Sequence, residues 1–160
     1  MIEIYETIDK FDHIVYDIAM WRIVLDTDVI IAGMRSPKGA SAAILDAAYS
    51  GRVLLLVSVA LALEYEAKCT LSEHYRAAGI TRQDALNFVD AIVALAEPVK
   101  QYYFWRPQLR DPGDEMVLET AINGGADMVV TFNLRDYGKA PQQFGIALFQ
   151  PREAIRRIRQ

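Results

Sequence analysis

The chain has 160 residues, 52% of them apolar and 24% charged, with one cysteine, two histidines and a formal net charge of −4. Those numbers suit one domain with its own hydrophobic core, and they exclude an intrachain disulfide framework and a zinc site built on histidine and cysteine. The acidic balance provides no overall field to draw in nucleic acid, so any such binding needs a local basic patch or metal ions offsetting the acids.

Residues 1–20 read as an amphipathic helical extension, with Ile4, Ile8, Phe11, Val15 and Ile18 on one face and acids between them. Acids stand among the apolar residues there and no basic stretch precedes an apolar core, so a secretory signal is not expected. No run of about 18 uncharged apolar residues occurs, so no membrane span is expected, and a single Cys69 suits a reducing cytoplasm. The domain proper is placed at 21–160. Ile23–Leu25 predicts a buried strand, residues 39–50 a helix closed by Gly51, and Val53–Val57 a second strand. Ser58 is placed to cap a long helix running to about Ala78 and stopped by Gly79. Thr81 opens another, with Leu86, Val89, Ile92, Val93 and Leu95 on its apolar face and Pro98 beyond its end. Val99–Phe104 predicts a short strand. Asp111-Pro112-Gly113-Asp114 opens a helix ending at Gly124-Gly125; Met128–Thr131 and Ile146–Phe149 are further strands, and Pro151 starts a last helix. Strands alternating with helices predict an α/β domain with a mostly parallel sheet of four or five strands, flanked by helices.

In open parallel sheets ligands bind beyond the carboxyl ends of the strands, where strand order reverses. Asp26 ends the first strand and Asp28 follows two residues later. Thr131 and Asn133 end the Met128 strand, with Asp136 just beyond, and Asp111 and Asp114 open the preceding helix. Crowded carboxylates disfavour one another's charge, and a hard cation such as magnesium or manganese relieves that. Such an ion lowers the pKa of a water and clamps a phosphate. Each acid also has a plainer reading. Asp26 at a strand end can cap a turn, and Asp28 can accept from a turn amide. Asp111 is a good N-cap, with Pro112 at the first helical position and Asp114 at the third. Glu64, flanked by Leu61 and Leu63, can be a surface glutamate.

The stretch Ile23-Val24-Leu25-Asp26-Thr27-Asp28-Val29 resembles the opening motif of PIN domains, where Asp-Thr-Asn is common. Glu64 within Ser58–Leu71 resembles the family's mid-chain glutamate. Arg110-Asp111-Pro112-Gly113-Asp114 with Gly124-Gly125-Ala126-Asp127, and then Val130-Thr131-Phe132-Asn133-Leu134-Arg135-Asp136-Tyr137, resemble the branch of toxin components of toxin–antitoxin pairs. The resemblance spans about residues 22–155 in order, and leaves 1–20 outside.

The resemblance implies a PIN fold and a hydrolase, a magnesium- or manganese-dependent ribonuclease acting on RNA, with a protein antitoxin as partner. It carries Asp26, Glu64 and Asp114 as catalytic and metal-holding acids, Asp111 as an auxiliary acid, and Thr131 as a hydroxyl beside the site. Asp28 stands where asparagine is frequent. Asn133 stands where many PIN domains have a fourth acid, so a single tightly held metal is expected unless Asp136 leans in to replace that acid. Arg35, Lys38, Arg106, Arg110 and Arg135 fall in loops expected near that edge, as phosphate holders or as solvated charges. The extension over 1–20 would pack on the domain or on a second protomer of a homodimer. Two other functions compete. A haloacid-dehalogenase-type phosphatase would use Asp26 as nucleophile, with Ser58 and Lys100 or Lys139 as its further groups. A degenerate PIN-like binding module would have no metal chemistry.

Overall fold

The computed structural model describes residues 20–104, 106 and 108–160. The helix expected over 1–20, with Ile4, Ile8, Phe11, Val15 and Ile18, therefore lies outside the described residues, except for the exposed Met20.

Among the described residues the sheet has five strands: β1 (Trp21–Leu25), β2 (Val53–Val57), β3 (Glu97–Pro98), β4 (Met128–Val130) and β5 (Ala147–Phe149). They lie in the order β3-β2-β1-β4-β5 and every pairing is parallel. The central position of β1 explains its composition. Ile23 and Val24 are wholly buried, because a parallel strand covered on both faces has no polar side to present. Ile23 sits opposite Leu55 on one side and Met128 on the other.

The helices are α1 (Thr27–Arg35), α2 (Ala40–Tyr49), α3 (Val59–Cys69), α4 (Ser72–Ala77), α5 (Arg82–Leu95), α6 (Pro112–Gly124), α7 (Leu134–Tyr137), α8 (Ala140–Gln143) and α9 (Pro151–Ile158). The chain moves from β1 outward to β2 and β3, then returns to β4 on the other side of β1. Strand order thus reverses between β1 and β4, and the crevice at their carboxyl ends belongs to Asp26 and Thr131.

Four local features depart from the sequence reading. Asp26 leads directly into α1, which was not expected. The long helix after Ser58 is two helices, α3 and α4. Thr70 turns its hydroxyl onto the Glu66 carbonyl (2.8 Å), and Leu71 is extended (φ −66, ψ 136). The strand placed at Val99–Phe104 is instead Glu97–Pro98, extended by Val99 N–H donating to the Val57 carbonyl (2.9 Å). Beyond it the chain leaves the sheet and is held by one side chain of α6: Asn123 Oδ1 accepts from the amides of Tyr102 and Tyr103 (3.0 and 3.1 Å), and its Nδ2 donates to the Tyr103 carbonyl (3.0 Å). The short helices α7 and α8 were also unexpected. The end of α6 needs two glycines for separate reasons. A Cβ on Gly124 would lie 2.9 Å from both Leu56 and Val99 side chains, and Gly125 closes the helix in the left-handed region at φ 61.

Candidate active site

Asp26 is the fixed point of the crevice. It is only 5% exposed and serves as N-cap of α1, with Oδ1 accepting from the Thr27 amide (2.7 Å). Oδ2 accepts from the Thr131 hydroxyl (2.7 Å) and the Tyr137 hydroxyl (2.9 Å). A buried carboxylate is tolerable only when its oxygens are satisfied in this way. The capping role and the site role thus fall on one side chain. On the far side of β1, the buried Tyr65 hydroxyl donates to the Leu25 carbonyl, tying α3 to the strand end.

Asp28 follows in the first turn of α1. Its Oδ2 accepts from the Phe132 amide (3.0 Å) and lies 3.4 Å from the Thr131 hydroxyl, while Oδ1 is buried with no hydrogen-bond partner among the described residues. Burial, then the nearby charge of Asp26, push its carboxyl up to about 6. The Thr131 hydroxyl oxygen also accepts from the Asn133 amide (3.0 Å), which shapes the turn after β4. Asn133 itself is exposed at the start of α7, and its side chain makes no cap hydrogen bond.

The third contribution comes from α6. Asp111 is its N-cap, with Oδ1 accepting from the Gly113 amide (2.8 Å), and Pro112 takes the first helical position. That geometry presents Asp114, half-buried, toward the crevice. Burial and the charges of Asp26, Asp111, Asp136 and Asp28, in that order, push the Asp114 carboxyl up to about 7. Asp136, half-buried on α7, thus contributes to the negative field around Asp114. Burial, Asp26 and Asp114 likewise hold the Tyr137 hydroxyl well above the ordinary tyrosine range.

The structure thus brings Asp26, Asp28, Asp111, Asp114, Thr131 and Asp136 into one field. Glu64 is half-buried on α3, and no hydrogen bond or ion pair among the described residues joins it to them. Among the described residues, no three Asp, Glu, His or Cys side chains meet at one point as preformed ligands would. The residues nonetheless fit a hard divalent cation. The donors are all carboxylate and hydroxyl oxygens, Asp28 Oδ1 is a buried acceptor without a donor, and a cation would relieve the repulsion that raises Asp28 and Asp114.

Arg35, Lys38, Arg110 and Arg135 are exposed. Arg106 is committed elsewhere: its Nε and a terminal nitrogen donate to both oxygens of Glu119 (2.7 and 3.0 Å), which is 2% exposed. Glu115, also buried, accepts the amides of Gln108 and Leu109 (2.6 and 2.9 Å). These acids of α6 hold the preceding loop. Tyr137 and Tyr65 were not among the residues expected at the site. Tyr137 closes the Val130–Tyr137 stretch, six residues after the strand-end Thr131, but no role was assigned to it there, and Tyr65 had no signal. The Ser58 hydroxyl is spent on Thr120 (2.8 Å) and on capping α3 through the Leu61 amide (3.2 Å).

A family model for the PIN domain matches residues 22–135. Among solved structures, the chain is similar in fold to VapBC2 from Rickettsia felis, crystallised bound to a DNA fragment from their promoter. The TM-score is 0.57 and the identity 15%, covering 79% of this chain and 96% of that one. No curated protein matches.

Proposed function

The chain belongs to the PIN-domain family, and from that premise we propose that it is a divalent-metal-dependent endoribonuclease, the toxin of a toxin–antitoxin pair. The observation that carries this reading is the acidic crevice. Asp26 is buried at the end of β1 and shares its field with Asp28, Asp114 and Asp136; burial first, and then the neighbouring charges, raise the carboxyls of Asp28 and Asp114 to about 6 and about 7.

Asp26 and Asp114 would hold a magnesium or manganese ion, with Asp111 and Glu64 completing its surroundings. When bound, the ion supplies Lewis acidity to a water and to the phosphate oxygens of RNA. Thr131 and Tyr137 keep the Asp26 carboxylate in one orientation. Asp114, with its carboxyl near 7, retains a proton in part of the molecules at neutral pH and releases it when a cation takes its place. Asp28 Oδ1 adds an acceptor and Asp136 a nearby charge, while the neutral Asn133 leaves the shell one carboxylate short. Arg35, Lys38, Arg110 and Arg135 are exposed cations available to phosphates. A protein antitoxin, a homodimer and a cytoplasmic setting belong to the same proposal. The similarity in fold to VapBC2 supports a partner protein. No helix among the described residues is long and apolar enough to cross a membrane.

A phosphatase with Asp26 as nucleophile is less well supported, because both Asp26 oxygens already accept hydrogen bonds and the Ser58 hydroxyl is engaged with Thr120. Manganese titration by calorimetry and incubation with beryllium fluoride test the proposal together. The expected result is saturable manganese binding without a beryllium fluoride adduct. Such an adduct, or no metal binding at millimolar concentrations, would count against it.

A further inference from the structure

Beside the acidic crevice lies an open groove of about 420 Å³, lined by Ser36, Gly39, Ser41, Phe132, Gln150 and Arg152 among others. Two helices begin at its walls. Gly39 is the N-cap of α2 and Gln150 that of α9, and neither makes a side-chain cap hydrogen bond. The first-turn amides of α2 at Ala40, Ser41 and Ala42 thus keep no side-chain acceptor, and α2 has no acid in its first turn. At α9, Pro151 takes the first position and brings Arg152 to the groove.

A second observation is independent of the helix ends. Ser41 is only 3% exposed, lines the groove, and its hydroxyl makes no hydrogen bond among the described residues. A hydroxyl on so buried a residue, without a partner among the described residues and lining the groove, is free to bond to a ligand that enters there. Lys38 and Arg152 are exposed nearby, and among the described residues neither is paired with a carboxylate. Phe132, 45% exposed, forms another wall, and its amide donates to Asp28 Oδ2. The groove and the acidic crevice are therefore joined through a single residue.

We infer that this groove is a nucleotide subsite. One phosphate would be received by the amides opening α2, the Ser41 hydroxyl and Arg152, with the attached base against the Phe132 ring. Helix N-termini and arginine suit a phosphate, and an exposed aromatic suits any base. The inference rests on the ribonuclease reading, since it places beside the acids the nucleotide next to the bond to be cut. Single-stranded RNA is the substrate form it favours, because a base must leave its stack to lie on Phe132.

The test uses probes that are not phosphodiesters, so it does not depend on cleavage. Isotope-labelled full chain is titrated with inorganic phosphate and, separately, with a 5′-nucleoside monophosphate, and backbone amide shifts are followed. Saturable shifts at Ala40, Ser41, Ala42 and Arg152 are expected. The nucleotide should bind about tenfold more tightly than phosphate, the scale of base–aromatic stacking. Phe132→Ala should erase that difference, and Ser41→Asp or the exposed Arg152→Glu should weaken both probes, with a dispersed spectrum confirming each fold. Unmoved amides, or a nucleotide bound no better than phosphate, would overturn the inference. In cleavage assays Arg152→Glu should raise KM about tenfold at unchanged kcat. Wild-type KM in that variant would refute the subsite while leaving the ribonuclease reading intact. A wild-type chain that cuts no RNA would refute that reading, and the amide shifts would still decide the groove.

Discussion

Replacing Asp114 by asparagine should stabilise the metal-free protein while abolishing its activity. The Asp114 carboxyl is raised from 3.8 to about 7 by burial and by four neighbouring acids, and no hydrogen bond from the described residues holds it. That displacement spans about 3 pH units, or roughly 4 kcal/mol at about 1.36 kcal/mol each. Water reaches much of the side chain and screens it, so roughly 1–2 kcal/mol is the reasonable gain at pH 8. The sign follows from proton binding. A carboxyl raised on folding keeps its proton in the native state while the unfolded chain has lost it, so native stability falls as pH rises from about 4 to about 7. The variant has no such loss. In a chelator, thermal scans should therefore show Asp114→Asn melting about 2–8 °C above wild type at pH 8. The gap should narrow steadily as pH falls through the upper carboxylate range. Added manganese should raise the wild-type midpoint and leave the variant nearly unmoved. A variant that melts below wild type at every pH, or that still responds to manganese, would refute the claim that Asp114 is held against repulsion for a cation.

Other consequences follow from single contacts. Tyr137→Phe removes one donor from Asp26 Oδ2 and should cost about 1 kcal/mol in urea unfolding; kcat should drop about tenfold with KM unchanged, since the substrate itself is not touched. Arg106→Ala leaves the Glu119 carboxylate buried without its partner and should cost roughly 3 kcal/mol, largely recovered in the double variant with Glu119→Leu. Asn133→Asp should strengthen manganese binding and lower the magnesium needed for cleavage, by about tenfold if roughly 1.4 kcal/mol of Coulomb gain survives desolvation. Unchanged or weaker binding in that variant would mean that Asp28 and Asp136 already supply the charge.

The sheet was legible because its inner strands announce themselves. Ile23–Leu25, Val53–Val57 and Met128–Val130 are unbroken apolar runs, as burial on both faces requires, and an acid or hydroxyl follows each of them: Asp26, Ser58 and Thr131. What the apolar pattern could not convey was decided by single side chains, some local and some distant in sequence. The helix α1 begins at Asp26 itself, and its Val29-Ile30-Ile31 run and Gly33 disguise it as something other than a helix former. The break between α3 and α4 depends on Thr70 bonding back to Glu66. The aromatic segment Tyr102–Phe104 has strand-like composition, but Asn123 of α6 holds it away from the sheet. At the site, the strand-end acids and the Asp111–Asp114 cap were readable from spacing along the chain. Tyr137 was not, because its role comes from a hydroxyl meeting Asp26 across 111 residues of sequence. Glu115 and Glu119 resemble Asp114 on paper, yet their neighbours in space make them anchors for the loop before α6.

The most direct test is single-turnover cleavage of a 5′-labelled single-stranded RNA by the full chain and by Asp26→Asn, each in manganese and in excess chelator. The account predicts cuts by the wild-type chain in manganese alone, and none by the variant in either condition. Cleavage that persists in chelator, or that survives loss of the Asp26 carboxylate, would contradict it.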